Sequence, residues 1–208
     1  MALNARERAR QFAKAQKAKQ KNRTSLLALG EGAEKSHAFR IAQALAARKK
    51  QGRIIAIDLV KPNYEVPQNM AFVQREAIGF LEGASPQSVK RISDDYFFQL
   101  SMYGKRAARD EKMPTFTLQR NELKYMRLAR RALVFGGRFI ITTDEANSKL
   151  ISRLLAGEGF RIAVCRELKP EEVQRKGSPK AKREFQEGNK PWRIVAVKPK
   201  QQAAQQSQ

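Results

Sequence analysis

The chain reads as a three-layer α/β sandwich whose sheet is mostly parallel, with an antiparallel pair at one edge. Two observations predict it. Short runs that are apolar at consecutive positions, the mark of strands buried on both faces, alternate with amphipathic helical stretches across nearly all of residues 24–200. Glycines punctuate the switches between the two periods, at Gly30 and Gly32, at Gly52, and at Gly136 with Gly137.

Taken in order, Ser25 to Leu29 is a short apolar strand, and Glu34 to Lys50 is an Ala-rich helix with Ala38, Ile41, Ala42 and Leu45 on one side. Gly52 stops that helix, and Arg53 to Leu59, RIIAIDL, is a buried parallel strand that closes a βαβ unit and carries Asp58 near its end. Met70 to Val73 is the next strand. Ile78 to Leu81 and the segment around Val89 read as short covering helices, and Tyr96 to Leu100, after the Asp94-Asp95 pair, reads as an inner strand. A helix capped by Thr117 follows, with Leu118, Leu123, Met126, Ala129 and Leu133 along it and Arg120, Lys124, Arg127 and Arg131 on its outer surface. Gly136 to Thr142 is a strand, and Glu145 to Ala156 a helix with Leu150, Ile151, Leu154 and Leu155 toward the core. Arg161 to Cys165 and Trp192 to Val197 make the antiparallel edge, joined by a long basic connection from Lys169 to Lys190.

One core accounts for the length: 208 residues, less polar ends at 1–23 and 201–208, leave a single principal domain over 24–200. The charge is less ordinary. Forty-two Lys and Arg against 20 Asp and Glu give +22, far more than solubility requires, so a polyanion is the expected partner. No apolar run reaches the roughly 18 residues of a membrane helix, and no signal core follows the basic start. A nucleic acid, met in the cytoplasm or an organelle, is therefore expected.

One Cys and one His exclude an internal disulfide and a Cys/His zinc cluster, and no metal is expected. Cys165, within the apolar run RIAVC, reads as a buried structural thiol, and His37 as an ordinary helix residue rather than a base.

Residues 1–23 hold eight basic residues, among them Arg6, Arg8, Arg10, Lys14 and Lys17, against Glu7. With almost no apolar stripe, this arm is expected to stay partly disordered until a polyanion neutralises it. A second basic group, Lys105, Arg106 and Arg109 beside Tyr103, falls after the Tyr96 to Leu100 strand, where cations can hold phosphates and Tyr103 can stack on a base.

The glycine turn in LLALGEGAEKSHA, the acid ending IIAIDL, the FVQREA stretch and RRALVFGGRFIITTD together resemble a Rossmann-like, class I S-adenosylmethionine-dependent methyltransferase, over about Leu26 to Val197. The resemblance implies that Gly30 and Gly32, with Glu34 in place of a third glycine, surround the cofactor's methionine part, that Asp58 accepts from ribose hydroxyls, and that Glu76 lies near adenine. It also implies a substrate-side role for Thr142, Thr143 and Asp144. Asp144 and Glu76 equally suit helix caps. Two RNA-directed branches share the likeness: GRIIAIDLVKP is similar to ribose 2′-O rRNA methyltransferases, and SVKRI with GGRFIITTD to tRNA guanine-N7 methyltransferases. Around Ser101 to Lys105 the chain carries no carboxylate where the second branch has Asp-Pro-Trp. The sequence thus leaves two readings: an RNA methyltransferase acting on tRNA or rRNA, or a catalytically inactive methyltransferase fold in a ribosome or another ribonucleoprotein.

Overall fold

The computed structural model describes residues 24–29, 37–48, 52–95, 115–176 and 179–200. Among the described residues seven strands form one sheet in the order β3-β2-β1-β4-β5-β7-β6. They are β1 (Leu26–Leu29), β2 (Ile54–Asp58), β3 (Met70–Gln74), β4 (Val89–Asp95), β5 (Leu133–Thr143), β6 (Arg161–Glu167) and β7 (Trp192–Val197). Among the described residues the helices are α1 (His37–Ala47), α2 (Ala77–Gly83), α3 (Thr115–Ala132), α4 (Glu145–Gly157), α5 (Pro170–Lys176) and α6 (Pro179–Gln186). β1 to β5 are parallel, and β7 runs antiparallel between β5 and β6, as the sequence predicts.

β1 lies at the centre, so every one of its residues is buried. Leu27 and Leu29 point into the larger core, against α2, α3 and α4, with Ile55, Ile57, Tyr125, Met126, Phe139, Ile141, Ile151 and Leu155. Leu26 and Ala28 point the other way, onto Ala38 and Ala42 of α1 and onto Ile54, Ala56 and Met70. Small residues on α1 let helix and sheet approach closely. Burying each large aliphatic side chain contributes about 1.5–3 kcal/mol, so the two-faced strands dominate the stability of the sheet.

The inner strand beside β1 is Val89–Asp95, where the sequence suggests a covering helix, and Tyr96–Leu100 lies outside the described residues. β4 disguises itself because one of its faces is charged and the other ends in a buried acid: VKRISDD has only Val89 and Ile92 as apolar residues, three apart. Its pairing is unambiguous all the same, with Leu27 opposite Ile92 on one side and Arg91 opposite Arg138 on the other.

β5 begins at Leu133, earlier than the glycines suggest, and α3 ends at Ala132. The register jumps from Val89 opposite Leu133 to Arg91 opposite Arg138, so β5 carries a bulge. Gly136, at φ 74°, adopts the left-handed backbone that the bulge needs, and a Cβ on Gly137 would lie 2.8 Å from the Val134 carbonyl oxygen. Lys198 stitches the bulge: its carbonyl accepts from Gly136 N at 2.8 Å, and its buried Nζ donates to the Leu133 carbonyl at 2.8 Å. Burial, and then the nearby Arg130, lower the Lys198 pKa.

Three further expectations change. The Lys169 to Lys190 connection folds into α5 and α6. Leu150 is 39% exposed, while Ile151 and Leu155 are buried and Leu154 packs partly buried against the core, as expected. Cys165 is exposed rather than buried, because β6 is the edge strand, and its Sγ accepts from Ser152 Oγ at 3.3 Å. No helix among the described residues is long and apolar enough to cross a membrane.

Candidate active site at the carboxyl ends of the strands

Parallel pairing aligns the carboxyl ends of β1 to β5 along one edge of the sheet. Leu29, the last residue of β1, is level with Ile57 on β2 and with Asp94 on β4. Asp58 and Asp94 therefore flank the point where β1 leads toward Gly30. The strand order also reverses here, from β3-β2-β1 to β4-β5, which is where open α/β sheets leave a crevice for ligands.

Asp58, half-buried, turns its Oδ1 to accept from Val60 N at 2.9 Å, and its carbonyl accepts from Arg75 N at 3.0 Å. Gln74 Nε2 reaches the Leu59 carbonyl at 2.9 Å, so the ends of β2 and β3 are tied together. Beyond Asp58 the apolar Leu59 and Val60 are 65% and 55% exposed, an unusual pair to leave in water at the rim of a cleft.

Glu76 caps α2. Its Oε1 accepts from Ile78 N at 3.0 Å and its Oε2 from Gly79 N at 2.7 Å. Asp144 caps α4 in the same manner, Oδ1 accepting from Asn147 N at 2.8 Å and Oδ2 from Asn147 Nδ2 at 2.9 Å. Both acids thus fill the capping roles that the sequence offers beside the ligand roles. Each carboxylate oxygen retains a further lone pair, so capping and ligand contact are compatible.

Asp94 is the residue that sequence reasoning missed. Fully buried, its Oδ2 accepts from the hydroxyl of Tyr125, also fully buried on α3, at 2.8 Å. Burial first, then the Asp94 charge and hydrogen bond, and more weakly Glu76, push the Tyr125 hydroxyl pKa well above 10.0. The described inner strand closes on Asp94 and Asp95, and Ser101 to Lys105 lies outside the described residues. The signal was present in the sequence as an acidic pair following Ile92 and Ser93.

Thr142 and Thr143 close β5, 5% and 0% exposed. Thr143 Oγ1 is buried without a hydrogen-bond partner among the described residues, as is the indole Nε1 of Trp192, its cross-strand neighbour. The basic surface expected of α3 is largely engaged within the protein: Lys124 pairs with Glu82 at 2.6 Å, Arg127 Nε with both oxygens of Glu158, and Arg131 Nη2 with the carbonyls of Leu81, Glu82 and Ala84. Gly30, Gly32, Glu34, Arg6, Arg8, Arg10, Lys14, Lys17, Tyr103, Lys105, Arg106 and Arg109 lie outside the described residues.

No protein-family model matches the chain, and no curated protein matches its sequence. Solved structures do share its architecture. The 16S rRNA methyltransferase KamB superposes with a TM-score of 0.58 at 16% identity, over 90% of this chain and 94% of its own. A mutant 16S rRNA (adenine(1408)-N(1))-methyltransferase from Catenulisporales acidiphilia, solved with its cosubstrate SAM, gives 0.58 at 14% identity over 97% and 94%. The 1,6-didemethyltoxoflavin-N1-methyltransferase of Burkholderia thailandensis gives 0.51 at 15% identity over 86% and 72%. The chain has the Rossmann-like fold of the S-adenosylmethionine-dependent methyltransferases. Because that fold serves RNA-directed and small-molecule enzymes alike, it does not choose the substrate.

Proposed function

We propose that the protein is an S-adenosylmethionine-dependent methyltransferase acting on RNA, of the tRNA or rRNA class. The observation that carries the reading is the pair of acids, Asp58 and Asp94, on either side of β1 at the switch point of the sheet. In a chain of net charge +22, acids gathered at one edge of the sheet suit a ligand that bears a sulfonium and an ammonium. The residues fit the cofactor: Gly30 and Gly32 allow close approach, Asp58 offers an acceptor to ribose hydroxyls, and Glu76, Leu59 and Val60 line the rim toward the adenine side.

When bound, S-adenosylmethionine supplies a methyl group made electrophilic by its sulfonium. The chain's own part is to place an acceptor atom beside it and to keep water out. Tyr125 fixes the Asp94 side chain at the end of β4, beside the crevice. Arg6, Arg8, Arg10, Lys14 and Lys17 in the arm, with Lys105, Arg106 and Arg109, hold phosphates while Tyr103 stacks on a base; Thr142, Thr143 and Asp144 lie on the substrate side.

The second reading, an inactive component of a ribonucleoprotein, is favoured by one observation: both oxygens of Glu76 already cap α2, which leaves a cofactor only their remaining lone pairs. Calorimetry separates the two. S-adenosylmethionine should bind the folded protein, and Asp58→Ala should weaken binding about tenfold or more, the loss expected for a hydrogen bond to a charged group. A folded protein that takes up no cofactor in the presence or absence of RNA would overturn the enzyme reading.

A further inference from the structure

Among the described residues, α1 covers one half of the sheet face opposite the larger core, and α5 reaches the other half only toward its carboxyl end. α1 packs on β1, β2 and β3. Across β4, β5, β7 and β6, the residues Ile92, Phe139, Ala196 and Ile162 point into the larger core, so strand alternation turns their neighbours to the other side. Those neighbours are Arg91, Arg138, Val197 and Arg161, placed level by the strand register: Arg91 opposite Arg138, Arg138 opposite Val197, and Val197 opposite Arg161.

All three arginines are exposed, and none has a carboxylate partner among the described residues. Interstrand spacings of about 4.8 Å spread this row over roughly 14 Å. The next row toward the carboxyl edge is Ser93, Ile140, Val195 and Val164, apolar after Ser93 and only half-buried in its aliphatic part. α5 reaches the row beyond it, where Arg166 grips Glu172 with two hydrogen bonds of 2.7 and 2.8 Å.

We propose that this half-face is a docking surface for the phosphate backbone of a structured RNA, separate from the cofactor crevice. A line of unpaired guanidiniums matches a regularly charged strand, and the aliphatic row beside it suits sugar and base faces. The chain's basic arm starts at the same edge: Lys90 N donates to the Thr24 carbonyl at 2.9 Å, and Thr24 pairs with Val89. Residues 1–23, with eight basic residues, thus join the fold within a few residues of Arg91. Like charge argues against that segment as the occupant and for a polyanion shared by both. The inference rests on the reading of RNA as substrate and gives that substrate a second place of contact.

The test uses the full chain, with anisotropy of a fluorescein-labelled RNA hairpin across a salt series. Three proteins are compared: wild type, Arg91→Gln/Arg138→Gln/Arg161→Gln, and a charge-matched control in exposed cations of α3 and α4 on the opposite side, Arg130→Gln/Lys149→Gln/Arg153→Gln. Exposed and unpaired, the three arginines should leave the melting temperature unchanged when replaced. The row variant should lose about two from the slope of log affinity against log salt, and about tenfold or more in affinity at physiological salt, while the control loses much less. Equal losses in the two variants would overturn the proposal. So would a polyglutamate peptide that binds wild type and loses affinity in the row variant as RNA does, because the face would then serve an acidic protein. Calorimetry with S-adenosylmethionine on the same variant keeps the two readings apart: row-dependent RNA binding without any cofactor binding would leave the docking surface standing and remove the methyltransferase activity.

Discussion

The hydroxyl of Tyr125, midway along α3, donates a 2.8 Å hydrogen bond to Oδ2 of Asp94, the penultimate residue of β4. Residues 31 apart in sequence thereby fix the acid that borders the crevice. Tyr125→Phe keeps the ring, which packs edge-on against Phe139 at 5.7 Å, and removes only the donor. The expected cost is about 1–3 kcal/mol in denaturant unfolding, with a larger relative fall in methyl-transfer rate than in cofactor affinity. An unchanged rate in a stably folded variant would dismiss Asp94 from the chemistry.

Two pH limits follow. Tyr125 has its pKa raised well above 10.0 in the fold, so above about pH 10 the unfolded chain releases a proton that the folded chain keeps; stability from this group is full below 10 and declines above it. Glu172 behaves oppositely. The Arg166 fork, helped by the Lys169 backbone N–H, holds its pKa down to about 2 against an ordinary 4.5, so its contribution is full above 4.5 and fades as pH falls toward 2. Carbon-detected titration of Glu172 in wild type and Arg166→Gln checks the second limit: the midpoint should rise toward 4.5 in the variant.

The bulge in β5 gives a steric prediction. Gly137→Ala would set a Cβ 2.8 Å from the Val134 carbonyl oxygen and 3.1 Å from that of Lys90, backbone atoms on both sides, and should cost about 1–3 kcal/mol. Gly83→Ala, at the end of α2 with nothing within 4 Å, should be neutral or slightly stabilising. Thermal unfolding of the pair measures the contrast.

The cations of α3 should act on the fold rather than on RNA. Arg131 satisfies three carbonyls at the end of α2, and Arg127 joins α3 to the residue after α4. Arg131→Gln should lower stability by about 1 kcal/mol, the net worth of such hydrogen bonds, and leave the RNA salt slope unchanged. A slope reduced as much as in the Arg91/Arg138/Arg161 variant would show that α3 contacts RNA after all.

What the sequence made legible follows from where each strand lies. β1 and β2 are apolar on both faces because they sit between helix layers, and their runs, LLAL and IIAID, announce it. β4 is just as central, yet it carries an exposed Arg91 on one face and Asp94 in the core, where the Tyr125 hydroxyl meets the acid. No local pattern encodes a partner on another element. Cys165 misleads for the converse reason: its run is apolar, but β6 has a neighbour on one side only. At the site, Asp58, Glu76 and Asp144 could be placed from sequence because each ends a strand or starts a helix. The capping of α2 and α4 by Glu76 and Asp144 was legible for the same reason, and only the structure shows that both oxygens of each are engaged.

The most direct test of the account is transfer of a labelled methyl group from S-adenosylmethionine to RNA by the full-length protein, run beside Asp58→Ala and Asp94→Asn. The account predicts label in RNA with wild type and a loss of about tenfold or more in each variant, with folding intact. Transfer by wild type that survives both substitutions would contradict the assigned site, and failure of the folded protein to bind the cofactor or label any fraction of total tRNA and rRNA would contradict the central claim.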